Sequence, residues 1–199
     1  METVLAQGAD FLEQHVDQAR SLPVAELVGS WRQGRKDLLE AIAGADAGVR
    51  VPWYGPPMSL ASFASARLME AWAHGQDVVD ALGASRAPTD RLRHVAHIGV
   101  RTRAFSYTVR GLQPPSDPVS VELVSPSAEV WTWESDVSAD VVRGSALGFC
   151  LVVTQRRHLD DTDVVAEGQM AQEWMEIAQA FAGPPGTGRR PGQFPQSLG

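Results

Sequence analysis

Apolar residues recur at helical spacing through the first half of the chain and then switch to alternation. Leu5, Leu12 and Val16 share a face with Ala9 and Ala19, which predicts a helix over Leu5–Arg20. Ser21-Leu22-Pro23 is a helix-start signal. Leu27, Trp31, Leu38 and Ile42 then give a second helix its apolar face, from about Val24 to Ala43, with Gly44 as its stop. The segment ADAGVRVPWYGPPMS breaks the periodicity with Pro, Gly and aromatic residues. Ser59 is placed to cap a third helix, Leu60–Leu82, which Gly83 ends. Thr89 or Asp90 caps a fourth that runs to Arg110 and is closed by Gly111 and Pro114-Pro115.

Alternation takes over after that point. Val119–Pro126 and Ala128–Ser135 each place apolar and polar residues on opposite sides, the signature of a hairpin. Asp136–Gly144 predicts a third short strand. Ser145–Arg156 reads as a helix, and Gln169–Phe181 as another with Trp174, Ile177 and Phe181 on one side. The Pro/Gly-rich tail is expected to be irregular, and no internal repeat is present. The pattern predicts an α+β chain: a helical bundle over residues 1–112, a small α+β domain over 113–183 and a tail over 184–199.

Composition narrows the function. A chain of 199 residues with 44% hydrophobic and 21% charged residues reads as a soluble globular protein. A formal net charge of −7 argues against nucleic acid as a partner. No apolar run approaches a membrane span, and METVLAQGADFLEQHV lacks the basic start of a secretory signal. One cysteine, Cys150, excludes an internal disulfide and suits a reducing, cytoplasmic compartment. Its setting, ALGFCLVV, predicts a buried and inert thiol. A Gly-rich phosphate loop, a C-x-x-C pair and a nucleophile elbow are all missing from the sequence.

The candidate chemistry lies in MEAWAHGQDVVDAL. Glu70 and His74 stand four apart and project from one side of a helix, and both side chains ligate divalent metals. An open zinc site takes three protein ligands, of which this helix offers two; Asp77, one turn on, is a partner for His74 or a further ligand. A second reading stays open. Leu68, Trp72, Val79 and Leu82 form an apolar stripe, so Arg67, Glu70, His74 and Asp77 also fit a solvated polar face. His94 and His97 sit among Arg91, Arg93, Arg101 and Arg103, a setting that favours a surface role or an anion over a dication. His158 reads as a surface residue near a helix end. His15, beside the apolar face of the first helix, is at most a substitute ligand.

Longer stretches carry a resemblance. VPWYGPPMSLASFASARLMEAWAHGQDVVDALG and PTDRLRHVAHIGVRTRAFSYTVRGL, with FCLVVTQRRHLDDTDVVAEG and EWMEIAQAFAGPPGTGRRPGQF later, resemble the actinobacterial mycothiol-dependent maleylpyruvate isomerase-like proteins and their metal-binding subgroup. The resemblance covers nearly the whole chain. It implies a DinB-like four-helix bundle followed by a small sterol-carrier-like α+β domain. It implies a divalent metal, zinc first, held by a His, Glu, His set, of which Glu70 and His74 match the last two. The first histidine belongs to an earlier helix with a D-Q-I/V-A/S-H-L segment that this chain does not contain, so the chain is expected to lack the N-terminal part of the pattern and to leave the bundle incomplete, with a homodimer as one consequence. The implied activity is isomerisation or thiol transfer with mycothiol as the thiol and a small molecule as substrate, Arg101 or Arg103 being candidates to hold its carboxylates. The alternatives are a non-catalytic module holding an apolar ligand under the Trp131/Trp133 hairpin, or an inactive truncated remnant.

Overall fold

The computed structural model describes residues 13–53, 57–133 and 139–194. It is a mixed α+β structure with a helical N-terminal region and a small sheet. Two compact units divide between Ala64 and Ser65, within one long helix.

The first unit is helical. Residues 13–21 form α1, and the part of the expected helix that precedes residue 13 lies outside the described residues. Pro23 starts α2, Val24–Gly44, as its fixed φ allows. The expected apolar face of α2 is only half covered: Leu38 and Ile42 are half-buried, whereas Leu27 and Trp31 are exposed. The guanidinium of Arg35 lies 4.8 Å from the Trp31 ring and covers part of it. Two short strands, β1 (Arg50–Val51) and β2 (Met58–Ser59), pair antiparallel, and Trp53 meets Phe63 edge to face at 6.0 Å. Ser59 caps α3, Leu60–Ala81, by accepting from the Ser62 N–H at 3.1 Å.

The second unit holds the sheet and the main core. The single helix expected up to Arg110 is two: α4 (Leu92–Arg101) and α5 (Arg103–Thr108). Thr102 is the break. Its hydroxyl donates back to the carbonyls of Ile98 and Gly99, at 2.9 and 3.1 Å, and competes with the helix ladder. The sheet contains β3 (Ser120–Val124), β4 (Val130–Trp133), β5 (Val141–Ser145) and β6 (Val165–Glu167), in the order β4-β3-β5-β6. The hairpin β3–β4 forms as expected; its outer end, from residue 134, lies outside the described residues. β5 runs parallel to β3. β6 was not signalled by the sequence pattern, being only three residues long.

One face of the sheet is apolar. Val121, Leu123 and Val142 are fully buried there beside Trp131. The other face carries Arg143, which donates to Glu122 at 2.9 Å and Glu167 at 2.7 Å across three strands. The helix α6, Ala146–Val153, is apolar all round and sits in the core, capped by Ser145. The helix α7, Gln169–Ile177, ends four residues earlier than the sequence predicts, at a turn that lets the Ala180 N–H reach the Val153 carbonyl. Asp140 caps α7 from the sheet, accepting from the N–H groups of Met170 and Ala171. Gly168 makes room for it: at φ 92 a Cβ there would meet Asp140 Oδ1 at 2.3 Å. Phe149 of α6 meets Trp174 of α7 edge to face at 5.9 Å. Among the described residues, no helix is long and apolar enough to cross a membrane.

Gly99 sets how closely α4 approaches α6, because a Cβ there would stand 2.8 Å from Val153 Cγ2 and 3.0 Å from Phe149 Cε1. Gly99→Val is expected to destabilise the protein by about 1–3 kcal/mol through overpacking. Gly29→Ala, in α2 with open space around it, is expected to stabilise by roughly 0.5–1 kcal/mol. Urea denaturation midpoints of the two variants check both signs.

Candidate functional site

The polar face of α3 becomes chemically distinct in its last three turns. Glu70 Oε2 stands 3.4 Å from His74 Nε2, and Asp77 Oδ2 stands 3.3 Å from His74 Nδ1. The histidine is thus flanked by a carboxylate on each ring nitrogen. Its side chain is 70% exposed, while Glu70 is 26% exposed, so the pair opens to solvent rather than into the core.

Asp77 does not stand free beside this pair. Arg156, 79 residues away in sequence, grips it with a fork: Nε to Oδ1 at 3.2 Å and Nη2 to Oδ2 at 2.8 Å. The same Nη2 lies 3.4 Å from His74 Nδ1, and Arg189 reaches Asp77 Oδ1 at 3.4 Å. One turn further, Arg157 grips Asp80 end-on, with Nη1 and Nη2 each 2.7 Å from a carboxylate oxygen. This second pair is nearly buried, at 10% and 8% exposure.

A local backbone motif aims both arginines. After α6 the N–H of Gln155 bonds to the Val152 carbonyl and that of Arg156 to the Leu151 carbonyl, while Gln155 itself takes φ 60. This is a Schellman stop with glutamine in the left-handed position that glycine usually fills. It turns the chain sharply, so that two successive side chains meet aspartates three apart on α3. The C-terminal tail folds against the same place. The guanidinium groups of Arg157 and Arg189 both lie over the Phe194 ring, at 5.2 and 5.1 Å, and the Gly192 N–H donates to Asp161. Of the segment expected to be irregular, the described residues 184–194 hold no helix or strand but are tied down by these contacts, and residues 195–199 lie outside the described residues. Between tail and helix lies a cleft of about 480 Å³ lined by Asp77, Asp80, Gln155, Arg156, Arg189 and Phe194, among others.

The remaining sequence candidates separate from this cluster. His94 and His97 are exposed on α4, and His97 Nδ1 accepts from the Trp133 indole at 3.3 Å. His158 caps a single 3-10 turn, Leu159–Asp161, by accepting from the Asp160 N–H. Cys150 is fully buried, and burial pushes its thiol far up; it is not a nucleophile at neutral pH. Sequence reasoning missed Arg156, Arg157, Asp80 and Arg189. The signal was the pair of arginines in TQRRHLDD directly after an apolar helix.

The spacing of Glu70 and His74 suits two ligands of one ion. Ligands at about 2.0–2.1 Å in a tetrahedral site stand roughly 3.3 Å apart, close to the distance found here. Asp77, accepting from Nδ1–H, would leave Nε2 with a free lone pair. The fit stops at two donors: among the described residues no group of three or more His, Cys, Asp or Glu is placed to hold a metal ion.

The buried fork makes a testable contribution to stability. Burial alone pushes the Asp80 carboxyl up. Hydrogen bonds from Arg157 and Gln76, with the charges of Arg157 and Arg189, outweigh it and hold the carboxyl below its ordinary 3.8. Its stabilisation is therefore complete above that value and is lost as pH falls through the lower folded value. Asp80→Ala is expected to cost about 3–5 kcal/mol at pH 7, because Arg157 is left buried and unpaired. In urea denaturation the gap between wild type and variant should narrow once the pH drops below 3.8.

Comparison with known proteins places the chain in a family. Residues 1–79, which include Glu70 and His74, match the family model of the mycothiol maleylpyruvate isomerase N-terminal domain. Two uncharacterised proteins of Mycobacterium tuberculosis, one from strain CDC 1551 / Oshkosh and one from strain ATCC 25618 / H37Rv, are each 49% identical over 189 residues, which is 95% of this chain and 74% of theirs. No solved structure matches the chain. With those relatives, the chain belongs to the mycothiol maleylpyruvate isomerase-like family.

Proposed function

We propose that this protein binds a divalent metal, zinc first, through Glu70 and His74 and uses it with a small thiol, mycothiol by family, in an isomerase- or transferase-like reaction on a small acid. The observation that carries the reading is the 3.4 Å spacing of Glu70 Oε2 and His74 Nε2 on α3, within the part of the chain that matches the family model. A further ligand must come from beyond that pair. When bound, such an ion supplies the positive charge that keeps a thiol deprotonated near neutral pH.

The chain's own residues have defined parts in this reading. Asp77 orients the His74 ring by accepting from Nδ1–H, and Arg156 fixes Asp77 by a fork on both carboxylate oxygens. Arg156 and Arg189 give the adjoining cleft two cationic groups, suited to a carboxylate. Phe194 and Phe181 give it an apolar wall. The same reading takes the helical region as DinB-like and the sheet region as sterol-carrier-like, in a cytoplasmic protein able to form homodimers. The apolar-ligand alternative has less support, since Trp131 is buried in the packed core and Trp133 packs against it.

Metal content of the purified protein, measured by mass spectrometry, tests the reading. Near-stoichiometric zinc is expected in wild type, falling by at least about tenfold in Glu70→Ala and in His74→Ala, since each removes one of the few ligands. Wild-type protein that stays free of metal after incubation with zinc would sink it.

A further inference from the structure

The tail that closes the cleft beside Asp77 is fastened thinly. Among the described residues, no backbone–backbone hydrogen bond joins residues 184–194 to the rest of the chain. The polar contacts that hold them are Arg189 Nη2 on Asp77 Oδ1 at 3.4 Å, the Gly192 N–H on Asp161 at 2.8 Å, and the Phe194 ring under the guanidinium of Arg157. A segment with so few ties opens far more readily than the fold as a whole. Every residue of 184–194 is exposed except Arg189 and Phe194, which are half-buried. Both line the cleft, with Thr187 and Gly188, while α3 and the turn after α6 form the other wall. The cleft of about 480 Å³ is therefore complete only with the tail in place.

Charge and distance show which group is available to a ligand. The forks use one guanidinium for each carboxylate, Arg156 on Asp77 and Arg157 on Asp80. Arg189 is a third cation, and among the described residues its only ion pair is a share of Asp77. It meets Oδ1, already taken by Arg156 Nε, through one contact whose 3.4 Å lies beyond the usual range of a hydrogen bond. Arg156 makes two contacts, at 3.2 and 2.8 Å, and is 13% exposed against 30% for Arg189. Arg156 thus stays on Asp77, and Arg189 is the group that an incoming anion recruits. The exchange replaces a marginal contact with a two-pronged one.

We propose that residues 184–194 form a strap that clamps a small monocarboxylate in this cleft, Arg189 leaving Asp77 for the ligand's carboxylate while Phe194 and Phe181 cover its carbon chain. The proposal rests on the reading of the cleft as a carboxylate site and adds that binding and closure are one equilibrium. One surplus cation matches one carboxylate. A ligand held by tail and body together binds the closed form alone, so it holds the tail shut. No metal at Glu70 and His74 is needed for this step.

The tail carries its own reporter. Trypsin cuts after Arg189, whereas the bond after Arg190 precedes Pro191 and resists it. Arg189 is engaged in the closed form, so cleavage there follows the open population. The probe is butyrate on the whole chain, its Kd taken from calorimetry, with chloride at matched ionic strength as the control. At about ten times the Kd of butyrate, release of residues 190–199 is expected to slow about tenfold. Cleavage after the exposed Arg20, in the first unit, is expected to stay unchanged. Arg189→Lys keeps the charge and the trypsin site but loses the fork. It is expected to bind butyrate about tenfold more weakly, the worth of one charge-assisted hydrogen bond, with its thermal melt showing that it folds. Butyrate that binds without slowing the release, or that binds Arg189→Lys as well as wild type, would overturn the strap and leave the carboxylate cleft standing. Butyrate that fails to bind wild type would remove the carboxylate reading of the cleft, and the strap with it.

Discussion

The site depends on two parallel forks, Arg156 on Asp77 and Arg157 on Asp80. They join residues almost eighty positions apart and fix the turn after α6 against the last turns of α3. A guanidinium meets a carboxylate in one plane, side-on through Nε and Nη2 in Arg156 and end-on through Nη1 and Nη2 in Arg157, so two in succession leave little freedom to slide or rotate. The inner pair is nearly dry and the outer pair faces the cleft. Breaking the inner one strands a charge, whereas the outer one is free to serve the side chain next to it, His74.

Much of this arrangement was legible in the sequence, for identifiable reasons. The pairing of Glu70 with His74 is a local consequence of helix geometry, so spacing alone predicted that they meet. The hairpin β3–β4 was legible because its alternation is clean and one face, Val121, Leu123 and Trp131 with the half-buried Trp133, packs on the core. The break at Thr102 was not, because a threonine that bonds backwards looks like any other residue in a helical pattern. Nor was β6, whose three residues are too few to show a period. The forks were invisible for a different reason: nothing local in QDVVD or TQRRH says that the two segments meet. Long-range ion pairs are decided by the fold, and only the unusual placement of two arginines after an apolar helix hinted at one.

Arginines in this protein divide by what occupies the Nε edge. In Arg143 and Arg156 a carboxylate of the chain lies there, tying strands in one case and a helix to a turn in the other. In Arg157 the carboxylate sits instead on the two terminal nitrogens, and Nε is buried without a partner. The same chemical group thus ties strands at one place and a helix to a turn at another, by a different edge in each neighbouring pair. The difference is set by the neighbours, not by the residue.

The Schellman stop at Gln155 carries a consequence for how the chain tolerates change in length. A left-handed residue reverses direction within two peptide units, so the aim of Arg156 and Arg157 is a matter of counting as much as of chemistry. One residue more or fewer between Val153 and Arg156 would rotate both side chains away from α3, whatever their identity. Homologous chains that keep the double arginine should therefore keep the spacing from the apolar helix unchanged, even where the intervening residues drift.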